Sequence, residues 1–284
     1  MSMIGTRYLW CAGLLAASAC TSWGAGTPLS IVKAVLSDRD SGAALPADYP
    51  HQPGETMFFS FQVDGFTPSS GDRVHLSYKV QALDPKGVLL EEPVSAEIEE
   101  TLAAEDKNWK PIVRQEIVIP PLAGSGTYKI EIALNDIVAK ATASKEVPFQ
   151  VHGHDVAPSD TLVIRNLHFY RSDSDRQPME RAAYRPGETV WARFDIIGYK
   201  YGAGNALEVS YDVAVLSPSG KTVYTRPDAD TDRSQAYYPK RFVPAVMSLS
   251  TKPDTRPGEY TVVLTAHDGV GKQTFEARRN FSIQ

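Results

Sequence analysis

Cysteine is almost absent from this sequence of 284 residues, in which Cys11 and Cys20 are the only two. Both lie in an N-terminal segment that we expect to be an export signal. Cys11 lies within its apolar run, and Cys20 follows the apolar run directly. The mature chain should therefore contain no disulfide bond. Its domains must be stabilised by hydrophobic cores alone, which is feasible for domains of roughly 120 residues.

Motifs that indicate catalysis are missing as well. The sequence contains no His-Glu-x-x-His for a catalytic zinc ion and no Gly-x-Ser-x-Gly for a serine nucleophile. The six histidines are dispersed, and the closest grouping is His152, His154 and Asp155, which we interpret as part of a solvated linker. We therefore predict that the protein is not an enzyme.

An excess of basic residues is also lacking. The chain has 29 Lys and Arg against 34 Asp and Glu, which gives a net charge of −5. Because binding to phosphates requires clustered positive charge, we predict no nucleic-acid partner. No apolar run reaches the ~20 residues that span a bilayer, so we expect membrane contact only through a lipid anchor.

The N-terminus carries the features of an export signal, which we predict over residues 1–24. Arg7 precedes an uncharged apolar run, and the small residues 17–19 are suited to cleavage. Cys20 then resembles the lipidated cysteine of a bacterial lipobox, although Ala17 stands where Leu is usual. Cleavage after Gly24 is the competing interpretation. Both predict export, to the periplasm, to an outer-membrane anchor or to the medium.

The strongest pattern is an internal repeat. Residues 53–87 match residues 186–220 without a gap, at an offset of 133 residues. Both blocks begin with Pro-Gly-Glu-Thr and contain Ser-Tyr and Pro-x-Gly at the same places. The match resumes near the end of each unit at an offset of 132. Such a self-match at both ends of a unit predicts a duplicated domain.

Each copy is predicted to form about seven short strands. Residues 74–83 and the matching 207–216 alternate between apolar and polar side chains, which is typical of half-buried strands. Residues 95–105 are the one place where we expect one or two helical turns. Asp136 and Asp268 follow matching late strands, and we expect their side chains to cap turns. Short strands separated by Pro and Gly turns predict an all-β sandwich fold.

Three segments of the second copy carry a family resemblance. Residues 184–190 are Tyr-Arg-Pro-Gly-Glu-Thr-Val, residues 216–221 are Leu-Ser-Pro-Ser-Gly-Lys, and residues 257–261 are Pro-Gly-Glu-Tyr-Thr. This succession resembles the macroglobulin-type and related immunoglobulin-like modules of secreted and envelope proteins. The resemblance implies two tandem immunoglobulin-like (macroglobulin-type) seven-stranded sandwiches. Full macroglobulins trap proteases through a Cys-Gly-Glu-Gln thioester, which this sequence lacks, so a bacterial tandem-repeat envelope protein fits better.

These patterns divide the chain into four parts. After the signal at residues 1–24, we predict a first sandwich over residues 25–152 and a second over residues 160–284. Residues 153–159 form a short polar linker containing Gly and Pro. We expect it to hold the sandwiches end to end with limited bending.

The best candidates for ligand contacts are aromatic and basic residues that the pattern places in loops of the second copy. They are Tyr199, Tyr201, Tyr237, Tyr238, Lys240 and Arg241. Rigid rings beside basic groups make protein or sugar contacts at low entropic cost. The alternative is that these rings fold back over the end of the sandwich.

Calcium is the inorganic ligand that the sequence favours, and no other cofactor is predicted. Asp228, Asp230 and Asp232 place three carboxylates at alternate positions of a predicted loop, and calcium binds oxygen ligands of this kind. The alternative is an acidic surface loop that discourages association of edge strands.

The function that we predict is an exported, non-enzymatic module that binds or scaffolds a protein partner of the cell envelope. The first alternative is a carbohydrate-binding module that uses the aromatic residues of the second domain. The second alternative is an enzyme with a site between the domains. The sequence does not identify the partner protein or glycan.

Overall fold

The computed structural model describes residues 27–106 and 108–284. The predicted signal segment and Cys20 lie outside the described residues. Within the described part, the regular structure is β-strand except for a single 3₁₀ turn at Ala203–Asn205. That part contains no helix of the length and apolar character needed to cross a membrane.

The first half of the chain forms eight strands, which make two sheets. They are β1 (Ser30–Ser37), β2 (Pro50–His51), β3 (Thr56–Asp64), β4 (Arg73–Leu83), β5 (Val94–Thr101), β6 (Ile112–Val118), β7 (Gly126–Asp136) and β8 (Ala141–Val151). One sheet has the order β1-β3-β6 and the other has the order β2-β8-β7-β4-β5. The two-residue β2 runs parallel to β8, and the other neighbours are antiparallel.

The second half of the chain repeats this arrangement strand for strand. Its strands are β9 (Val163–Tyr170), β10 (Ala183–Tyr184), β11 (Thr189–Ile197), β12 (Leu207–Leu216), β13 (Thr222–Ser234), β14 (Val243–Ser250), β15 (Gly258–Asp268) and β16 (Gln273–Ile283). The sheet orders are β9-β11-β14 and β10-β16-β15-β12-β13, so each strand takes the place of the strand eight earlier. The predicted fold class, all-β with two tandem immunoglobulin-like sandwiches, is confirmed. Each sandwich has eight strands rather than the predicted seven, the count including the two-residue strands β2 and β10.

Each sandwich has its own core between its two sheets. Every second residue of β3 is buried, and β11 follows the same alternation over most of its length. Phe61 on β3 meets Tyr78 edge-on with ring centroids 6.0 Å apart, and Phe194 on β11 meets Tyr211 at 5.0 Å. These aromatic pairs connect one sheet to the other in both copies, which is where the repeat in the sequence has its physical meaning.

Two glycines show why the copies share their turns. Gly65 and Gly198 follow β3 and β11 with φ angles of 72° and 75°. A Cβ atom would lie 2.2 Å from the carbonyl oxygen of Pro28 at the first position, and 1.9 Å from that of Thr161 at the second. Only glycine fits this close backbone approach.

The turn-capping role predicted for Asp136 and Asp268 is confirmed. Both are 2% exposed. Each carboxylate accepts two backbone N–H groups from its own turn and one from the connection after the third strand of its domain. The donors are Val138, Ala139 and Thr67 for the first, and Val270, Gly271 and Lys200 for the second.

The helical turns predicted at residues 95–105 are wrong. Residues 95–101 belong to the edge strand β5, which pairs with β4 over its whole length, and residues 102–105 form the start of the following connection, with a turn at 104–105. Its Glu-rich composition favours helix locally, but the open hydrogen-bonding groups of β4 select an extended partner. The charged side chains then face solvent, as is usual on an edge strand.

Candidate functional site at the joint between the domains

The two sandwiches meet through the connection between β13 and β14, which we call the joint loop (residues 235–242). Tyr238 of this loop is 6% exposed and packs with the core residues of the first sandwich. Its hydroxyl donates a hydrogen bond of 3.0 Å to Oδ2 of Asp84. Burial raises the pKa of the Tyr238 hydroxyl, while the Arg241 guanidinium opposes that rise. An aromatic side chain of the second domain thus completes the core of the first.

Asp84 is the residue of the first domain that receives the joint loop. Its side chain is fully buried, and its Oδ1 atom accepts the backbone N–H groups of Lys86 and Val88 at 2.8 and 2.9 Å. Its Oδ2 atom accepts hydrogen bonds from Tyr238 and from the guanidinium of Arg241. One carboxylate therefore closes its own turn and binds the second domain, which satisfies a buried charge that would otherwise be costly.

Tyr199, Tyr201 and Lys240 form the base of the joint loop. Both tyrosine hydroxyls donate to the backbone carbonyl of Lys240, Tyr199 at 2.7 Å. Their rings pack edge-to-face at 5.6 Å. The Lys240 ammonium reaches Asp232 at 2.7 Å and Ser234 at 2.8 Å. Burial strongly raises the pKa of Tyr199, so this hydroxyl stays a neutral donor that fixes the loop.

The structure therefore brings all six predicted binding residues together at the joint, either in the joint loop or at its base. Placement of Tyr199 and Tyr238 outside the core was wrong, since they are 5% and 6% exposed. Tyr201 and Tyr237 remain accessible at 39% and 48%. The backbone carbonyl of Tyr237 accepts a hydrogen bond of 2.6 Å from the side chain of Asn205.

The aspartates predicted to bind calcium lie in a strand, so their assignment to a loop was wrong. Asp228, Asp230 and Asp232 belong to β13, which carries a bulge around Asp228. The Asp232 carboxylate is bound to the Lys240 ammonium, and the Asp230 carboxylate accepts the N–H of Thr231 at 2.8 Å. Among the described residues, one set of three ligand-type side chains converges, and it contains none of these aspartates.

The segment between the sandwiches is attached to both of them. The Ser125 hydroxyl donates to the carbonyl of Gly153 at 2.9 Å, and the N–H of Gly153 donates back at 3.1 Å. On the other side, the His154 ring lies 2.8 Å from Oδ2 of Asp195, which also accepts from Asn166 at 2.7 Å. The segment is thus hydrogen-bonded on both sides rather than simply solvated.

Two hollows flank the joint. One, of about 340 Å³, is lined by residues that include Asp84, Tyr128, Tyr201 and Arg241. The other, of about 840 Å³, is lined by residues that include His152, His154, His168, Asp195 and Phe242. The His154 ring packs edge-on against Phe242 at 5.0 Å and forms part of both linings.

Sequence reasoning did not single out Asp84 or Asp195. Each differs from its counterpart in the other copy, since Ser217 matches Asp84 and Gln62 matches Asp195. Asp195 lies on the same face of β11 as Arg193, yet it is only 5% exposed. Since its counterpart Gln62 is polar and the core-facing positions of β11 are its neighbours, local periodicity gave no signal for Asp195.

Four of the six histidines in the described residues are hydrogen-bonded to carboxylates. His51, His75, His154 and His267 each have a ring nitrogen 2.8–3.0 Å from an Asp or Glu oxygen. Within the described ranges, no hydroxyl is hydrogen-bonded to a histidine ring.

The chain matches no protein-family profile and no curated protein. Among solved structures it is similar to the C-terminal domains of two antigen I/II-family proteins. For AspA of Streptococcus pyogenes the identity is 9%, the TM-score 0.32 and the coverage 90% of this chain and 99% of that one. For BspA of Streptococcus agalactiae the identity is 9%, the TM-score 0.31 and the coverage 90% and 100%.

A transglutaminase from red sea bream is a third similar structure, with 8% identity and a TM-score of 0.26. The match covers 91% of this chain and 31% of the transglutaminase. At TM-scores near 0.3, these similarities say nothing about what the chain binds or catalyses.

Proposed function

We propose that the chain is an exported, non-enzymatic module that binds a protein partner of the cell envelope at the joint between its two sandwiches. The observation that carries this proposal is the contact of Tyr238 and Arg241 with the buried Asp84. This contact and the attached linker favour one rigid two-domain unit over two independent modules. A preorganised surface of this kind favours binding because less motion is lost on association.

The accessible side chains beside the joint suit a protein partner. Tyr237 and Tyr201 are 48% and 39% exposed. Tyr237 precedes Lys240 and Arg241 closely in the joint loop, and the Tyr201 hydroxyl donates to the carbonyl of Lys240. Tyrosine and arginine are enriched in the centres of protein interfaces.

Site-specific photo-crosslinking tests the proposal. A photoreactive phenylalanine analogue replaces Tyr237 in one variant and Val223, which is 55% exposed at the other end of β13, in a matched control. In an envelope extract, we expect a discrete crosslinked protein from position 237 and none from position 223. Equal adducts at both positions, or none at either, contradict binding at the joint.

Carbohydrate binding is the second candidate, favoured by the exposed ring of Tyr201 at the edge of the smaller hollow. Sugar rings stack on such faces, and a glycan array compares the wild type with Tyr201→Ala and Tyr237→Ala. Loss of a specific glycan signal in either variant would favour this candidate. Tyr238→Ala is unsuitable here, because removal of its buried ring disturbs the first core.

A further inference from the structure

Three ligand-type side chains converge on the outer face of the first sandwich, away from the joint loop. His75 lies on β4, and Glu97 and Glu99 lie on the edge strand β5. His75 stands directly opposite Glu99 in the register of the two strands. Because side chains alternate along a strand, Glu97 projects from the same face as Glu99. One ligand atom from each of the three residues lies within 4.8 Å of the others.

The His75–Glu99 separation is that of a zinc coordination shell, and the shorter His75–Glu97 separation is a hydrogen bond that a bound ion would replace. Nε2 of His75 lies 2.9 Å from Oε2 of Glu97 and 3.5 Å from Oε1 of Glu99. Ligands held about 2.0–2.2 Å from a tetrahedral Zn²⁺ ion stand roughly 3.3–3.6 Å apart. We propose that His75, Glu97 and Glu99 form a Zn²⁺ site on the outer face of the first sandwich, with the fourth coordination position open to water.

The donor set selects zinc over the calcium predicted from the sequence. Zinc binds imidazole nitrogen and carboxylate oxygen at low coordination number, whereas calcium takes six to eight oxygen ligands. β4 is held on its other side by β7, and the carbonyl of His75 itself accepts the N–H of Ile137 at 3.0 Å. The ligands from β4 and β5 are therefore mounted on paired strands of one sheet.

Arg73 is the positive side chain that competes with a cation here. Its guanidinium lies 3.6 Å from Oε2 of Glu99, and its side chain is 70% exposed. Exposed ion pairs of this kind contribute about 0–1 kcal/mol, so Arg73 is a weak competitor. A bound Zn²⁺ ion replaces the imidazole–carboxylate hydrogen bonds with three coordinate bonds.

The second sandwich provides a natural contrast at the same place in the fold. Glu208 on β12 occupies the position of His75, and Arg233 on β13 stands opposite it in the register. These two side chains form an ion pair. Since a guanidinium does not ligate a metal ion, the site belongs to the first sandwich alone.

Zinc titration by calorimetry tests the proposal on the full chain after treatment with EDTA. We expect one Zn²⁺ ion per chain, and a loss of affinity of about tenfold or more in His75→Ala and in Glu97→Gln, the range seen when metal sites lose supporting groups. The matched control is His267→Ala. The His267 ring lies 2.9 Å from Asp212, and its side chain is 35% exposed, as is that of His75. We expect this control to bind zinc as the wild type does.

Co²⁺ provides a readout that is independent of affinity, because its visible absorption reports the number of ligands. The wild type and His267→Ala should give the intense spectrum of a four-coordinate ion, which His75→Ala should lose. Unchanged zinc affinity in His75→Ala, an equal loss in His267→Ala, or absence of wild-type binding would overturn the proposal. The unfolding midpoint of each variant shows whether a loss of zinc binding is due to unfolding. If His75→Ala is unfolded, the zinc affinity of Glu97→Gln decides the matter, because this change keeps the size of a side chain on an exposed strand.

Discussion

The two sandwiches share their strand order but use one connection differently. In the first, the connection between β5 and β6 packs on its own domain, and Trp109 contacts Phe66 edge-on at 5.9 Å. In the second, the connection between β13 and β14 leaves its domain and inserts Tyr238 into the core of the first. Duplication of a stable scaffold thus supplies a second connection that is free to take another role.

The receiving side shows the same asymmetry. Asp84 and Ser217 begin equivalent turns, but only the aspartate has a second oxygen available once the turn is closed. The Ser217 hydroxyl pairs with Ser219 at 3.0 Å. One substitution in the first copy and one altered loop in the second therefore suffice to join two similar domains in a fixed order.

The largest expected effect comes from removing one buried aromatic ring from the core of each sandwich in turn. Phe61→Ala and Phe194→Ala remove equivalent buried rings, and each should destabilise its own domain by about 3–5 kcal/mol. Trp109 and Trp191 report on the first and second domain, respectively. The chains used for this test begin after residue 24, and in each of them one of these two tryptophans is replaced by Phe. The fluorescence of the remaining tryptophan then follows the urea unfolding of its own domain. An equal shift of both signals, whichever core is altered, would show that the sandwiches unfold as one unit.

A smaller substitution tests the joint itself. Tyr238→Ala should lower the stability of the first domain by about 2–4 kcal/mol, although the residue belongs to the second, because it opens a cavity and removes a partner of Asp84. The fluorescence of Trp109 measures this effect. Tyr237→Ala, the exposed neighbour, should change it by less than about 0.5 kcal/mol. A shift confined to the second domain would mean that the ring does not stabilise the first core.

What could be predicted from the sequence differs between features within one domain and contacts between the two domains. Gly65 and Gly198 and the alternating strands were predictable, because turn chemistry and periodicity depend on neighbours in the chain. The contact between Asp84 and Tyr238 was not, since the two residues are 154 positions apart and no local pattern links them. Strand β5 was not predicted because pairing with β4, rather than the local helix propensity of its residues, determines its conformation. The signal segment and its alternatives at Cys20 and Gly24 stay predictions.

Alkaline pH should affect a hydrogen bond that crosses the second sandwich. The Tyr211 hydroxyl donates to the carbonyl of Val246 at 2.7 Å, and burial raises its pKa from 10.0 to about 12. The unfolded chain therefore loses this proton first, so that the stabilisation is complete below pH 10 and lost as the pH rises towards 12. Tyr211→Phe should lower stability by about 1 kcal/mol at neutral pH and flatten this decline. Urea unfolding of the second domain between about pH 9 and pH 12, the range set by these pKa values, measures the dependence of stability on pH. The same pH dependence in the variant and the wild type would contradict the assignment.

Acid pH offers the finest comparison, because each domain has a lysine–aspartate pair beside the corresponding connection. Burial alone would raise the pKa of Asp232, but its hydrogen bonds with Lys240 and Ser234 lower it below the ordinary value of 3.8. A depressed pKa means that the stabilisation is present above about pH 4 and lost as the pH falls through the value in the folded state. Asp232→Asn should therefore remove up to about 1 kcal/mol of stability at neutral pH and weaken the acid dependence of the second domain. The matched change in the first domain is Asp64→Asn. The Lys110 ammonium lowers the pKa of Asp64, and this ion pair is more exposed than that of Asp232 and Lys240. Its effect should be smaller, because solvent screens that pair. A larger effect at Asp64 than at Asp232 in acid unfolding would mean that burial of the joint loop does not strengthen its ion pair.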